Sequence, residues 1–216
     1  MPYYVQLFLL KFTIKKRLTD LFMSTLILAS ASPRRQRLLR YLGIDFIVKV
    51  PNIDELRLPH ELPQDLVLRL SKNKAQTVFE DNQECVIIAA DTVVALDNKI
   101  LGKPRSDEES VSMLKSLSGR THQVYTGTTI KSSNKCVNFL TTSNVTFCTL
   151  DENVIFEYVK SNEGADKAGS YALQGLGAIF IKSVEGSVSS VIGLPISEVM
   201  QHLCTFGFTP HPSLTL

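Results

Sequence analysis

The sequence predicts one α/β domain in which a single mixed α+β sheet is flanked by helices. Strand-like apolar runs alternate with helical patterns from about residue 25 to residue 205. The run Cys85–Ala90 is apolar throughout, which is typical of a central strand buried on both faces. A hairpin signal follows it, so antiparallel pairs are expected beside parallel ones. With 216 residues, 44% of them hydrophobic and 20% charged, the chain is long enough for one domain with a sizeable core.

The first half of the chain contains three strand patterns and two helix patterns. Ser32 can cap a helix, Pro33 suits its first position, and Gly43 is placed to end it. A longer helix begins near Pro63, because apolar residues recur there near the helical period. These signals predict strands at 25–30, 44–50 and 85–90 and helices at 33–42 and 63–79.

The second half begins with a hairpin, in which residues 93–96 and 100–101 flank a two-residue turn signal. Ser106 and Glu109 form a capping-box pattern at the start of a helix that ends at Gly119. The remaining patterns predict long strands at 122–131 and 136–149, a helix at 151–160, short strands around 177–192 and a last helix opened by Pro195.

Residues 1–22 differ from the rest of the chain. An apolar stretch from Tyr3 to Leu10 is followed by basic residues, whereas a secretory signal has its positive charges first and a membrane span needs about 20 apolar residues. Met23 directly precedes the first convincing strand. We therefore expect Met23 to be the physiological start, or residues 1–22 to be a loosely attached extension of a single domain at 23–216.

Charge and cysteine usage exclude several classes of protein. A formal net charge of +2 and a pI near 8.3, without a basic stripe interleaved with aromatics, argue against nucleic-acid binding. The four cysteines show no paired spacing, so no zinc or redox site is indicated. Cys85 and Cys148 are expected to be reduced core residues. We expect a cytoplasmic protein with no nucleic-acid or membrane partner.

A turn suited to phosphate follows the first strand. Ser30, Ser32, Arg34 and Arg35 place two hydroxyls and two guanidinium groups at a helix N-terminus, where free N–H groups and the helix dipole favour an anion. An ordinary capped helix with a solvated basic first turn fits the local pattern equally well. Basic residues oppose the dipole there by roughly 0.3–1 kcal/mol each, which favours the phosphate interpretation.

Other polar residues stand at strand ends and in loops. Asp91 and Thr92 follow the apolar strand that ends at residue 90, and ligands of α/β proteins bind at such strand ends. Terminating a strand is an equally good role for an aspartate there. Taken alone, Glu55 in its loop and Lys74 on the second helix are expected to be solvated, and Lys103 is a weak signal.

Residues 163–177 contain four glycines among small residues. Glycines permit unusual backbone angles and close backbone approach. Tyr171, Leu173 and Leu176 supply apolar anchors that a flexible linker would lack. This glycine-rich segment is therefore expected to pack closely against something, with a surface loop as the alternative.

Taken together, six segments resemble the Maf family of nucleoside triphosphate pyrophosphatases, in one order and spacing from about residue 25 to residue 205. The segments are Ala29–Arg35, Ala90–Val93, Gly102–Pro104, Leu117–Gly119, Asp166–Gly169 with Gln174-Gly175, and Gly193–Pro195. The resemblance implies a fold like that of the inosine triphosphate pyrophosphatases, an elongated mixed sheet with a cleft between two lobes. It also implies hydrolysis between the α and β phosphates with Mg²⁺ or Mn²⁺, and a homodimer.

The resemblance also implies roles for individual residues. Asp91 matches the general base, which would orient or deprotonate the attacking water, and Glu55 with Asp91 would hold the metal. The side chains that would cradle the triphosphate are Ser30, Ser32, Arg35, Lys74 and Lys103.

Three further matching positions, Arg34, Thr92 and Gln174, carry the residues of the branch that acts on dTTP and UTP. The 7-methyl-GTP branch has tryptophan, glutamine and glutamate there. A glutamine amide can accept from N3–H of uracil or thymine and donate to O4, whereas a rotated amide would pair with cytosine. The resemblance therefore implies a pyrophosphatase for dTTP, UTP and modified pyrimidine triphosphates. The alternatives are the same reaction on another nucleotide such as 7-methyl-GTP, or a nucleotide-binding regulator of cell division.

Overall fold

The computed structural model describes residues 24–211, and the predictions made for residues 1–22 and Met23 lie outside that range. Seven strands lie at Leu26–Leu28 (β1), Phe46–Val48 (β2), Val86–Leu96 (β3), Lys99–Leu101 (β4), Thr121–Lys131 (β5), Cys136–Phe147 (β6) and Ile181–Glu185 (β7). Helices lie at Pro33–Arg40 (α1), Pro63–Glu80 (α2), Asp107–Leu117 (α3), Glu152–Lys160 (α4), Val188–Ile192 (α5) and Ile196–Thr205 (α6). Residues 168–170 and 176–180 form short 3₁₀ segments.

The strands form one mixed sheet in the order β2-β1-β3-β5-β6-β7, with β4 also paired to β3. Strand β1 runs parallel to β2 and β3, and the other pairs are antiparallel. The predicted mixed sheet flanked by helices is therefore confirmed.

One edge of β3 is shared by two different partners. Strand β5 pairs along the opposite edge from Ile87 to Ala95. On the shared edge, β1 pairs only up to Ile88, and β4 pairs only from Val94 onward. Residues 89–93 thus lie between the two partners, where the sheet leaves an opening.

Helix α2 covers one face of the sheet along both halves. Its Ala75 packs with Ile27 and Ile87, and its Leu66 packs with Val93 and Tyr125. On the other face, α1 and α6 cover the β1 side, while α3 and α4 cover the side of β4 to β6. The result is two lobes that share α2 and the long strand β3.

Gly127 on β5 lets α2 approach the sheet closely. A Cβ added at Gly127 would lie 2.3 Å from the carbonyl oxygen of Val67 on α2, so no larger residue fits without moving the helix. Gly127 is the register partner of Asp91 on β3. Lys74 lies seven residues, about two helical turns, after Val67, and the close approach brings its side chain to the sheet beside Asp91.

Two sequence predictions are wrong. Asp91 does not follow a strand: β3 continues through it to Leu96, because β5 pairs with β3 along that whole length. Of the region around 177–192, where short strands are expected, residues 181–185 form β7, whereas residues 176–180 form a 3₁₀ segment. Residues 188–192 are helical, and the Ser187 side chain caps them by accepting from the Ser190 amide.

The predicted burial of the cysteines is only partly correct. Cys85 and Cys148 are half-buried free thiols at the margin of the core. Among residues 24–211, no helix has both the length and the apolar character needed to cross a bilayer.

Candidate active site

A cavity of about 660 Å³ opens where β1 and β4 leave the edge of β3. Every residue that the sequence analysis named as a site residue lines it, although these residues come from distant parts of the chain. They are Ser30, Ser32, Arg34, Arg35, Glu55, Lys74, Asp91, Thr92, Lys103 and Gln174.

An ion-paired cluster lies on the α2 side of the cavity. The Lys74 ammonium lies 2.6 Å from Asp91 Oδ1 and 2.8 Å from Glu55 Oε1. The side chains of Lys74 and Asp91 are only 9% and 11% exposed, whereas that of Glu55 is 59% exposed. Lys74 is therefore not solvent-facing as its position on a helix suggested, and one of the two carboxylate charges is not compensated within the cluster.

The side chains of Asp91 and Thr92, which are neighbours on β3, point to opposite faces of the sheet, because side chains alternate along a strand. Asp91 meets Lys74 from α2, while Thr92 meets Arg35 from α1. Because both residues lie in the gap between β1 and β4, both reach the same cavity around the free edge of the strand.

Arg35 is held by three acceptors. Its Nε donates to Gly193 O at 2.8 Å, Nη1 to Ser30 Oγ at 3.2 Å and Nη2 to Thr92 Oγ1 at 3.3 Å. Burial lowers the pKa of Arg35, and the nearby Asp91 charge partly offsets that effect. The guanidinium keeps two N–H donors beyond these bonds, which leaves it able to bind a phosphate oxygen.

Thr92 belongs to a hydrogen-bonded chain. Thr126 Oγ1 donates to Ser190 O at 2.9 Å and lies 3.0 Å from Thr92 Oγ1. Since the single Thr126 proton is used toward Ser190, Thr92 donates to Thr126 and accepts from Arg35. Thr92 therefore helps to fix the direction of the Arg35 guanidinium.

The turn before α1 has the predicted local structure. Ser32 Oγ accepts from the Arg35 amide at 3.4 Å and caps the helix, and Pro33 occupies its first position. The Ser32 amide donates to Ser30 Oγ at 3.2 Å. Across the cavity, Arg34 Nη1 lies 3.6 Å from Asp166 Oδ2, so this turn contacts the glycine-rich segment.

The glycine-rich segment packs against the second lobe, as predicted. The Gly169 amide donates to Gly102 O at 3.1 Å, which ties the segment to the strand end carrying the exposed Lys103. Asp166, Lys167 and Tyr171 also line the cavity. The sequence analysis did not name these three as site residues. The sequence feature that could have indicated them is that all three belong to the glycine-rich segment.

A buried histidine lies behind the segment. His122 Nε2 is 2.8 Å from the Tyr171 hydroxyl, and His122 is fully buried. Burial lowers the pKa of His122 to about 4. His122 is therefore neutral near pH 7 and supports Tyr171 in the cavity wall.

The donor set fits a hard divalent cation that is shared with a substrate. Asp91 and Glu55 direct carboxylate oxygens at one point, now taken by the Lys74 ammonium. No group of three or more metal-ligating side chains occurs among residues 24–211. Mg²⁺ is typically bound by one or two carboxylates, with phosphate oxygens and water completing its shell, and these two carboxylates match that pattern.

Charge is distributed unequally around the cavity. Two carboxylates with Lys74 lie on the α2 side, while the rest of the lining includes Arg34, Arg35, Lys103 and Lys167. Asp166 pairs with Arg34 and Lys167. Such an arrangement suits a polyanion that carries a cation, since the basic rim attracts phosphate and the acidic side holds the positive ion.

Comparison with known proteins identifies the family of the chain. The family model described as "Maf-like protein" matches residues 25–206. This chain belongs to the Maf family. A Bacillus pumilus (strain SAFR-032) protein named dTTP/UTP pyrophosphatase is 44% identical over 188 residues, which cover 87% of this chain and 100% of that protein. A Bacillus cereus (strain G9842) protein of the same name is 44% identical over 184 residues, covering 85% of this chain and 96% of the relative.

Among solved structures, a HAM1 protein from Coxiella burnetii matches with a TM-score of 0.47 and 18% identity. The match covers 85% of this chain and 100% of that one.

Proposed function

We propose that this Maf-family protein hydrolyses dTTP and UTP to the nucleoside monophosphate and pyrophosphate. The observation that carries the proposal is the convergence of one buried carboxylate, Asp91, with a basic rim in a single cavity. The relatives named dTTP/UTP pyrophosphatase, at 44% identity, support the choice of substrate.

Asp91 acts on the attacking water. Its Oδ1 accepts from Lys74, which leaves Oδ2 to accept a hydrogen bond from water and to receive its proton as the phosphoanhydride bond is attacked. Because Lys74 and the β-ladder hold Asp91 rigidly, the carboxylate is positioned before substrate arrives.

The basic rim binds the triphosphate. Ser30 and Ser32 offer hydroxyls, while Arg35 and Lys103 offer charged donors, at the N-terminal end of α1 and the end of β4. Negative charge moves onto the leaving pyrophosphate as the bond breaks. Donors fixed in advance stabilise that charge without reorganising.

We also propose that Glu55 and Asp91 hold Mg²⁺ or Mn²⁺. When bound, such an ion would neutralise phosphate charge and help to orient the phosphates. Lys74 bridges both carboxylates and so keeps the two groups that would hold the ion close to each other.

Base selection is assigned to Arg34, Thr92 and Gln174. Gln174 is an exposed residue at the cavity wall, and its amide can accept from N3–H and donate to O4 of uracil or thymine. Thr92 contributes by accepting a hydrogen bond from Arg35 and so orienting its guanidinium. Arg34 contributes by pairing with Asp166 of the glycine-rich segment, which completes the cavity wall.

The decisive experiment measures pyrophosphate release with Mg²⁺ or Mn²⁺ across dTTP, UTP, CTP, GTP, ATP and 7-methyl-GTP. We expect a preference for dTTP and UTP and loss of turnover in EDTA. Asp91→Asn should lower kcat by about 1,000-fold while nucleotide binding persists, since a positioned general base contributes about 10²–10⁴-fold.

Asp97→Asn is the matched control for Asp91→Asn. Asp97 lies in the turn after the same strand, is largely exposed, and has a φ of 51° that asparagine tolerates. The Asp97→Asn variant should have the kcat of the wild type. Activity confined to 7-methyl-GTP would overturn the choice of base, and full turnover in Asp91→Asn would remove Asp91 from the mechanism.

The homodimer and the cytoplasmic location stay predictions. Light scattering coupled to size-exclusion chromatography tests the first, with a mass of twice 24.0 kDa expected. Fractionation of native cells tests the second.

A further inference from the structure

Glu163 contacts the backbone on the far side of the base-selecting residue Gln174. Its Oε2 accepts from the Leu176 amide at 2.8 Å, and its Oε1 accepts from the Gly177 amide at 2.9 Å. Both amides open the short 3₁₀ segment 176–180, where N–H groups have no partner within the turn. A single carboxylate thus caps the segment that directly follows Gln174-Gly175.

Gly175 makes this contact possible. Its φ of 118° and ψ of −151° are accessible essentially to glycine alone. A Cβ built there would lie 2.3 Å from Glu163 Oε2. The backbone of the loop therefore lies directly against the Glu163 carboxylate at residue 175, where a side chain would not fit.

The other end of the same loop is also anchored. The Ala172 amide donates to the Tyr158 hydroxyl at 3.2 Å, and Tyr158 is buried in the core of the second lobe. Only residues 173–175 lie between this anchor and the Glu163 cap. Gln174 is thus presented to the cavity by three residues fixed at both ends.

Gln174 itself is exposed. The backbone that carries it therefore sets the place from which its side chain reaches into the cavity. Uracil and cytosine differ in the donor and acceptor pattern at N3 and at the exocyclic group on C4, so selection between them depends on where the amide meets the edge of the base.

We propose that Glu163 is a positioning residue for base selection, which fixes the backbone of residues 174–177 and so the place from which the Gln174 side chain reaches the base. This inference rests on the proposed function, in which Gln174 pairs with the pyrimidine edge. A purely structural Glu163 would lower activity on all nucleotides equally. A positioning Glu163 changes the preference for UTP over CTP.

The experiment measures kcat/KM for UTP and CTP in wild type, Glu163→Ala, Gln174→Ala and the double variant. In Glu163→Ala, we expect the preference for UTP over CTP to fall by about tenfold, a size typical of residues coupled in one network. In the Gln174→Ala background, the same substitution should leave the preference unchanged, because Glu163 acts only through Gln174.

Two further variants keep the test interpretable. Glu163→Gln preserves the side-chain volume but offers one acceptor and turns an amide donor toward the second N–H; it should lower the preference as well and serves if the alanine variant fails to fold. Glu157→Ala removes an exposed carboxylate of α4 that pairs with Lys160 and should leave the preference unchanged.

The outcomes separate the inference from the proposed function. Wild-type activity on dTTP and UTP with an unchanged preference in both Glu163 variants would overturn the inference alone. So would a wild type that does not distinguish UTP from CTP, or a change of preference that persists without Gln174. A wild type inactive on every nucleotide would overturn both.

Discussion

Replacing Lys74 by methionine tests whether this lysine of α2 holds Asp91, the proposed general base, in place. Methionine keeps the length and the apolar stem of the side chain but removes the ammonium that lies 2.6 Å from Asp91 and 2.8 Å from Glu55. Asp91, only 11% exposed, would then be a buried carboxylate without a cation in ion-pair contact, although the Arg35 charge stays nearby.

The magnitude follows from the exposure of the two partners. Removing one partner of a buried ion pair costs about 3–5 kcal/mol. The Glu55 side chain is 59% exposed, so solvent screens that pair, and it contributes no more than about 1 kcal/mol. The Asp91 contact therefore dominates, and we expect Lys74→Met to lower the free energy of unfolding by about 3 kcal/mol at neutral pH.

Urea denaturation measures the effect, with the slope of the transition checked for constancy. Lys72→Met is the matched control, because Lys72 lies on the same helix two residues earlier and is exposed; it should stay within about 0.5 kcal/mol of wild type. The double variant Lys74→Met with Asp91→Asn should be more stable than Lys74→Met alone, since it removes the uncompensated charge. The same stability in Lys74→Met and wild type, or a double variant less stable than Lys74→Met, would refute the reasoning.

Two other expectations concern Gln174 and His122. Gln174→Glu should lower kcat/KM for dTTP and UTP by about tenfold or more, because a carboxylate has no donor for O4, while the urea midpoint stays unchanged; an equal loss on every nucleotide would mean that Gln174 is structural. The pKa of His122 falls from 6.5 to about 4 on burial, so the unfolded chain binds a proton there that the folded protein does not. The free energy of unfolding that neutral His122 contributes is fully present above pH 6.5 and should be lost as the pH falls toward 4, by on the order of 3 kcal/mol. In the His122→Phe variant, the urea midpoint should therefore decline less between pH 7 and pH 5. An unchanged slope in that variant would exclude His122 as the cause.

Local signals predicted most of the secondary structure. The cap at Ser32 and the helix after Pro63 appear where their sequence patterns place them, because capping and amphipathic periodicity act over a few residues. The run 188–192 was mistaken for a strand because valine and isoleucine favour strands, while the hydroxyl of Ser187 turns it into a short helix.

The environment of Lys74 depends on residues far away in the sequence. Its pattern on α2 is compatible with a solvated lysine, and its burial results from Asp91, 17 positions later, and from the close approach at Gly127. The resemblance to the Maf family named Lys74 as a site residue, but its carboxylate partners became visible only with the packing of α2 on the sheet.

The position of the cavity follows from the pairing of β3. If a single neighbouring strand paired along the full length of each edge of β3, residues 89–93 would be completely buried. No room would then be left for a ligand. Here the parallel partner β1 stops at the register of Ile88, and the antiparallel partner β4 starts at that of Val94. Asp91 thus stays rigid, because β5 pairs with it through Gly127, while its free edge opens to the cavity. Because that opening lies where the two lobes meet, each lobe contributes its own chemistry: the turn before α1 from one, and Lys103 with the glycine-rich segment from the other.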